Sequence, residues 1–110
     1  MNDILNELET ILEQRKAAAD AEISYVASLH QKGLNKILEK VCEEATETIL
    51  AAKDLRDGGS REALVGEVAD LWVHCMVMLS HLDVSLDDVE QCLADRFGMS
   101  GLEEKAAREQ

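Results

Sequence analysis

The sequence predicts an all-α fold: a helical bundle centred on an antiparallel helix hairpin. Three observations lead there. Proline is absent and aromatics are limited to one Trp, one Tyr and one Phe, while Ala, Leu and Glu, which favour helix, are abundant. Apolar residues recur at spacings of three and four along most of the chain, the period of an amphipathic helix. The clearest turn signal, Arg56-Asp57-Gly58-Gly59, is short and separates two long helical patterns, which makes them antiparallel neighbours. At 110 residues the chain reads as a single domain, 1–110, large enough for a modest core.

The elements follow in order. Ile4, Leu5, Leu8, Ile11 and Leu12 form the stripe of a first helix, capped by Asn2, and the pattern fades over residues 15–20. A short helix over residues 23–30 stops at Gly33, because glycine readily leaves helical geometry. A third helix runs from Leu34 to about Leu55, and Ser60 caps a fourth that ends at Asp83-Val84-Ser85. Ser85 then caps a fifth, over residues 86–97, stopped by Gly98, and Ser100-Gly101-Leu102-Glu103 reads as the capping box of a charged tail helix.

The third and fourth helices each carry acids three residues apart, Glu44 with Glu47 and Glu67 with Asp70. Residues at that spacing share a helix face, so each pair aims two carboxylates at one point. The first pair lies about ten residues before the Gly-Gly break and the second about ten after it, which at 1.5 Å rise per residue puts both at one height on an antiparallel hairpin. Four convergent carboxylates repel one another unless a hard divalent cation sits among them, and oxygen ligands suit Mg²⁺ or Mn²⁺. On the third helix the apolar stripe is Leu34, Ile37, Val41, Ala45, Thr48 and Ala52, with Glu44 at its edge and Glu43 nearly opposite. On the fourth, Leu64, Val68, Leu71, Trp72, Cys75, Leu79 and Leu82 face one way, and Glu67, Asp70 and His74 share the other side with Val73, Val77 and Met78. A helix apolar all round is a buried one, where acids are costly unless paired or metal-bound. Taken alone, Glu-Glu-x-x-Glu is a solvated face; the placement of the two pairs together makes a site. His74 and His81 read as core or interface residues, and Lys36, Lys40 and Lys53 as surface lysines close enough to the acids to contact phosphate.

A net charge of −12 argues against a general nucleic-acid or anionic-membrane binder, which needs a basic face. It leaves room for a phosphorylated substrate, because a bound metal inverts the local sign. Cys42, Cys75 and Cys92 include no C-x-x-C, so neither a disulfide framework nor a zinc site is suggested, and buried free thiols in a reducing cytoplasm are expected. The N-terminus has no signal-peptide pattern. The apolar run at residues 71–82 is too short to span a bilayer, so a soluble cytoplasmic protein is expected. The fourth helix is more apolar than one small chain can cover, which predicts a homodimer completing the bundle.

Several stretches carry a closer resemblance: Ser24-Tyr25-Val-Ala-Ser-Leu, Lys32-Gly33-Leu-Asn-Lys36-Ile, Lys40-Val-Cys-Glu43-Glu44-Ala-Thr-Glu47, Ala51-Ala-Lys53-Asp, Glu67-Val-Ala-Asp70-Leu, Val84-Ser-Leu-Asp-Asp-Val, Arg96-Phe-Gly and Ser100-Gly-Leu-Glu-Glu-Lys-Ala-Ala-Arg108. Together they resemble the phosphoribosyl-ATP pyrophosphohydrolases of histidine biosynthesis, within the wider all-α nucleoside-triphosphate pyrophosphohydrolase (MazG-like) superfamily. The sequence departs from that pattern at Cys42, where Gly is usual, and at His30, where Phe is common. The resemblance implies Mg²⁺-dependent hydrolysis of the α–β phosphoanhydride of phosphoribosyl-ATP to phosphoribosyl-AMP and pyrophosphate. It implies Glu44, Glu47, Glu67 and Asp70 as metal ligands, Glu43 as a further catalytic-site acid, and Lys36, Lys40 and Lys53 as phosphate contacts. Two other readings stay open on the residues alone: a house-cleaning (d)NTP pyrophosphohydrolase of the same superfamily, and a non-catalytic acidic helical interaction protein.

Overall fold

The structure is a computed structural model that describes residues 4–18 and 24–98. Asn2, the capping box at residues 100–103 and the tail helix lie outside the described residues. The fold is all-α, with helices α1 (Ile4–Ala17), α2 (Tyr25–Lys32), α3 (Leu34–Arg56), α4 (Arg61–His81) and α5 (Leu86–Phe97).

Three serines start helices by accepting N–H groups that the first turn leaves unbonded. Ser24 Oγ accepts from Ala27 N at 3.1 Å, Ser60 Oγ from Ala63 N at 3.2 Å and Ser85 Oγ from Asp87 N at 3.1 Å. Between α2 and α3 the chain turns at Gly33 with φ +98°, a region side chains rarely enter. The α3–α4 turn closes through Gly59, whose N–H donates to Asp54 O at 2.7 Å. A Cβ at that position would lie 2.7 Å from the same oxygen, so the turn closes this tightly only with glycine. α4 ends in a Schellman arrangement: Val84 N donates to Leu79 O at 2.9 Å and Asp83 N to Ser80 O at 3.1 Å, with Asp83 itself at φ +58°.

α3 and α4 pack along their length as the predicted antiparallel hairpin. α1 lies against α4 and α2, and α2 against α3. The core joins Leu12, Val26, Leu29, Ile37, Met76, Val77 and Leu86. Leu29, Ile37 and Val77 are fully buried, each contributing about 2 kcal/mol by removal of apolar surface from water.

Three expectations are corrected. On α3 the buried residues are Ile37, Glu44 and Ala51, one every two turns, so Glu44 stands in the middle of the buried line rather than at its edge, and Ala52 is exposed. Thr48 faces α4 in this orientation: its hydroxyl donates to Glu44 O at 2.7 Å and lies 3.2 Å from Glu67 O. On α4 the buried residues are His74, Met76, Val77 and Ser80, while Trp72 is 55% exposed. α3 packs against the Glu67–Asp70 stretch of α4 and α1 against its C-terminal half; on the Leu64–Leu82 side Trp72 and Leu82 are exposed, while Leu64, Cys75 and Leu79 are half-buried. Cys42 and Cys92 are exposed and Cys75 half-buried, all three free; Cys42 sits beside Glu43 on the outward side of α3.

α4 is long and apolar enough to cross a membrane by length and composition. Glu67 and Asp70 stand in that helix opposite the acids of α3, as befits the inner helix of a hairpin.

Candidate metal centre

The two acid pairs meet where the hairpin geometry places them. Glu44, Glu67 and Asp70 each bring one carboxylate oxygen to within 4.8 Å of the others. Glu47 is not one of these three but neighbours Glu44 and Glu67, and, burial apart, its charge raises both of their carboxyls. Carboxylates this close repel one another, and a shared proton or cation relieves the repulsion, since two carboxylates have no donor between them.

Burial makes the arrangement costly without a cation. Glu44 is 7% exposed, and Oε2 of Glu44 and Oε2 of Glu67 are buried with no hydrogen-bond partner. An unpaired buried carboxylate oxygen is among the least favourable groups a protein interior can hold. Burial raises the Glu44 carboxyl above its usual value, Glu47 and Asp70 raise it further, and His74 partly opposes them. Burial likewise raises Glu67, followed by Glu47, Glu44 and Asp70. The described residues thus offer an all-oxygen cluster with two bare acceptors, which fits a hard divalent cation.

Among the described residues, Lys40 is the lysine that stands beside this cluster. Lys40 Nζ is 3.4 Å from Glu43 Oε2 and 3.6 Å from Glu44 Oε1. Burial alone would depress the Lys40 ammonium, but Tyr25, Glu43 and Glu44 outweigh it and hold it above the usual lysine value. Lys40 is therefore charged and already at the cluster. Lys36 lies one turn before it on α3 and is half-buried; Lys53, near the end of α3, is exposed. Neither forms an ion pair among the described residues, so of the three lysines the structure brings only Lys40 to the acids. Glu43 is reached through Lys40 and lines an outward groove with Glu39, Cys42, Thr46 and Glu47. A larger open groove of about 610 Å³ runs from Glu47 and Glu67 along Ala51 to the Gly58-Gly59-Ser60 turn.

Similarity to known proteins agrees with this geometry. A family model described as phosphoribosyl-ATP pyrophosphohydrolase matches residues 5–97. The chain belongs to that family. The proteins named phosphoribosyl-ATP pyrophosphatase from Burkholderia vietnamiensis (strain G4 / LMG 22486) and Burkholderia multivorans (strain ATCC 17616 / 249) are each 56% identical to it over 106 residues, covering 96% of this chain and 87% of theirs. The one from Burkholderia mallei (strain SAVP1) is 57% identical over 106 residues, covering 96% and 86%. As a member of this family the chain is a hydrolase of a phosphoanhydride bond.

Two neighbours of the pyrophosphohydrolase cluster escaped the sequence reading as site residues. His74 Nδ1 is 2.7 Å from Asp70 O, and its Nε2 is 2.9 Å from the Tyr25 hydroxyl. His74 is four residues after Asp70 and so on its face, a signal present in the spacing. Tyr25 comes from a separate short helix, and no spacing rule connects it to the hairpin.

Proposed function

We propose that this chain hydrolyses the α–β phosphoanhydride of phosphoribosyl-ATP, releasing phosphoribosyl-AMP and pyrophosphate, the second step of histidine biosynthesis. The observation that carries the reading is the pair of buried, unpartnered oxygens, Glu44 Oε2 and Glu67 Oε2, at the meeting point of two acid pairs in a chain of this family.

Glu44, Glu47, Glu67 and Asp70 would hold Mg²⁺, with Mn²⁺ as a substitute. The ion, when bound, supplies Lewis acidity toward phosphoryl oxygens and charge neutralisation for the leaving pyrophosphate. The remaining roles belong to side chains. Glu44, buried and fixed on the α3 ridge, sets the cluster's position. Glu47 and Glu67 both stand at the cluster and line the 610 Å³ groove, so either carboxylate is placed to accept a proton from the attacking water. Lys40 meets a phosphate oxygen at the rim, and Lys36 stands on the same side one turn away. Lys53 would have to act from outside the groove lining. Glu43 keeps Lys40 in place from its other side. No Ser or Cys nucleophile is required.

The exposed α4 face around Val65 (66% exposed) and Trp72 is the surface for a second copy, completing the bundle as a homodimer; Trp72→Asp is expected to yield monomer by light scattering. On this reading the protein acts on a soluble nucleotide in the cytoplasm.

The test is product analysis of the purified protein with Mg²⁺ and, separately, phosphoribosyl-ATP, ATP and dUTP. Pyrophosphate released from phosphoribosyl-ATP alone, and lost in Glu47→Gln, supports the proposal. Release from the free nucleotides instead would make the chain a house-cleaning pyrophosphohydrolase using the same acids. No release from any would overturn the catalytic reading.

A further inference from the structure

The groove beside the carboxylate cluster has a direction and a sign. Glu47, Ala51 and Asp54 follow one another at spacings of four and three on α3, and so share one face of that helix. Ala63 and Glu67 do the same on α4, and the two faces line the groove of about 610 Å³ that ends at the Gly58-Gly59-Ser60 turn. At its inner end Glu67 Oε2 is buried without a partner. Its charged lining is acidic throughout (Glu47, Asp54, Asp57 and Glu67), with no lysine or arginine among the lining residues. Asp57 is already engaged, its Oδ1 3.2 Å from Arg56 Nε. Of Asp54 only the backbone oxygen is bonded, accepting from Gly59 N at 2.7 Å and Asp57 N at 3.1 Å, so its carboxylate is free.

The cluster stands between this groove and Lys40. Lys40 precedes Glu44 by one turn of α3, and Asp54 follows Glu47 by two, about 10.5 Å at 1.5 Å rise per residue. A groove of uncompensated acids repels phosphate. The phosphates of a nucleotide held at the cluster therefore extend toward Lys40, and its nucleoside extends along the groove toward the turn. The length fits, since a mononucleotide spans about the Glu47-to-Asp54 rise from its phosphorus to the far edge of its base. In phosphoribosyl-ATP that base is alkylated at N1. Alkylation there turns the N1–C6–N6 unit into an amidine that takes up a proton near neutral pH, so this base is cationic where the adenine of ATP is neutral. An acidic groove separates the two nucleotides by that difference.

We propose that Asp54 is a specificity-determining residue: its free carboxylate, at the far end of the α3–α4 groove, receives the protonated N1-substituted adenine of the substrate and so favours it over ATP. This rests on the pyrophosphohydrolase reading above and deepens it by naming what reads the base and holds the α–β bond in register with the cluster.

The experiment measures, by calorimetry with Mg²⁺ present, the binding of AMP and of N1-methyl-AMP, which differ in one methyl group and in the charge of the base. The wild type is expected to bind N1-methyl-AMP about fivefold more tightly, the scale of one partly exposed ion pair. That preference is expected to vanish as the pH is raised until the methylated base is neutral. Asp54→Asn is expected to abolish the preference while leaving AMP binding unchanged, and to lower kcat/KM for phosphoribosyl-ATP by a similar factor. Mn²⁺ affinity, followed by electron paramagnetic resonance without nucleotide, is expected to be the same in Asp54→Asn as in the wild type. Equal binding of the two nucleotides to the wild type would overturn the proposal. So would a preference that survives Asp54→Asn, one that persists once the base is neutral, or a loss of Mn²⁺ affinity accompanying its disappearance. Failure of the wild type to hydrolyse phosphoribosyl-ATP, with the preference for N1-methyl-AMP intact, would instead overturn the reaction assignment and leave the groove's selectivity standing.

Discussion

At the C-terminal end of α4, acids from α1 and the following turn are matched to donors. Ser80 Oγ donates to Glu13 Oε1 at 2.7 Å, Leu86 N to Glu9 Oε2 at 2.8 Å, and Lys16 Nζ to Asp83 Oδ1 at 2.8 Å and to the Ser80 carbonyl. Nearly four turns earlier on the same helix, Glu67 meets Glu44 and Asp70 with no donor among the three, and two buried oxygens are left bare. Lys16 holds the Asp83 carboxyl below the usual range, whereas burial and neighbouring acids push Glu44 and Glu67 above it. One cluster is complete within the chain and ties α1 to α4. The other is incomplete without something cationic. Composition does not distinguish them, since both are rich in acids; the difference lies in whether the lone pairs are satisfied.

The sharpest way to separate the two is to remove one charge from each. Glu47→Gln or Asp70→Asn is expected to lower turnover by at least about 10³-fold, the scale of losing a group that stabilises developing charge. Thermal stability of the metal-free protein is expected to hold or rise, because like-charge repulsion falls. Loss of folding in these variants would mean that the cluster is structural after all. The matched end should behave oppositely. Lys16→Met is expected to cost about 1 kcal/mol, discounted for partial exposure, measured by urea unfolding, with turnover per folded molecule unchanged.

Cation dependence gives the next contrast. Mg²⁺ at about one hundred times its dissociation constant is expected to stabilise the wild type by about 2.7 kcal/mol through mass action, read as a rise in the thermal midpoint. Glu44→Gln is expected to remove most of that rise, and Lys16→Met none of it. An equal rise in wild type and Glu44→Gln would place the cation elsewhere.

How far the sequence disclosed this arrangement depends on which contacts are local. Glu44 with Glu47, Glu67 with Asp70, the Gly58-Gly59 break and the caps Ser60 and Ser85 are short-range patterns, and α4 and α5 start where those serines put them; Ser24 caps α2 from a position the sequence reading placed inside that helix. The hairpin is the one tertiary contact that a short turn dictates, so the convergence of the acids was also legible. The roll of each helix was not. Glu44 is central rather than marginal and Trp72 is exposed; both depend on how α1 and α2 dock against the hairpin, and those are pairings between distant segments. Tyr25 was invisible as a neighbour of the acids for the same reason, being 49 residues from His74.

The smallest expected effect concerns His30 and His81, near the matched end. Their Nδ1 atoms are 2.9 Å apart and the rings stack at 5.2 Å with 18° between planes. One ring must donate and the other accept, so the pair holds together only while one is neutral. Burial lowers the His30 imidazole below its usual value of 6.5, His81 and Lys16 lower it further, and Glu13 partly opposes them. A lowered histidine contributes stability that is fully present above about 6.5 and is lost as pH falls through the folded-state value. The raised carboxyls of the metal-free cluster have the opposite sign: their contribution is greatest below the usual carboxylate range and is lost as pH rises. Wild-type protein therefore mixes two slopes. In a Glu44→Gln, Glu67→Gln background without metal, the cluster's slope is removed, and stability is expected to fall below pH 6.5 by at most about 1.4 kcal/mol per pH unit for a single titrating group. Adding His30→Phe is expected to flatten that limb while leaving stability at pH 7.5 within about 1 kcal/mol. A slope that survives His30→Phe would assign the acid sensitivity to other groups at the α1–α4 contact and leave the imidazole pair as packing alone.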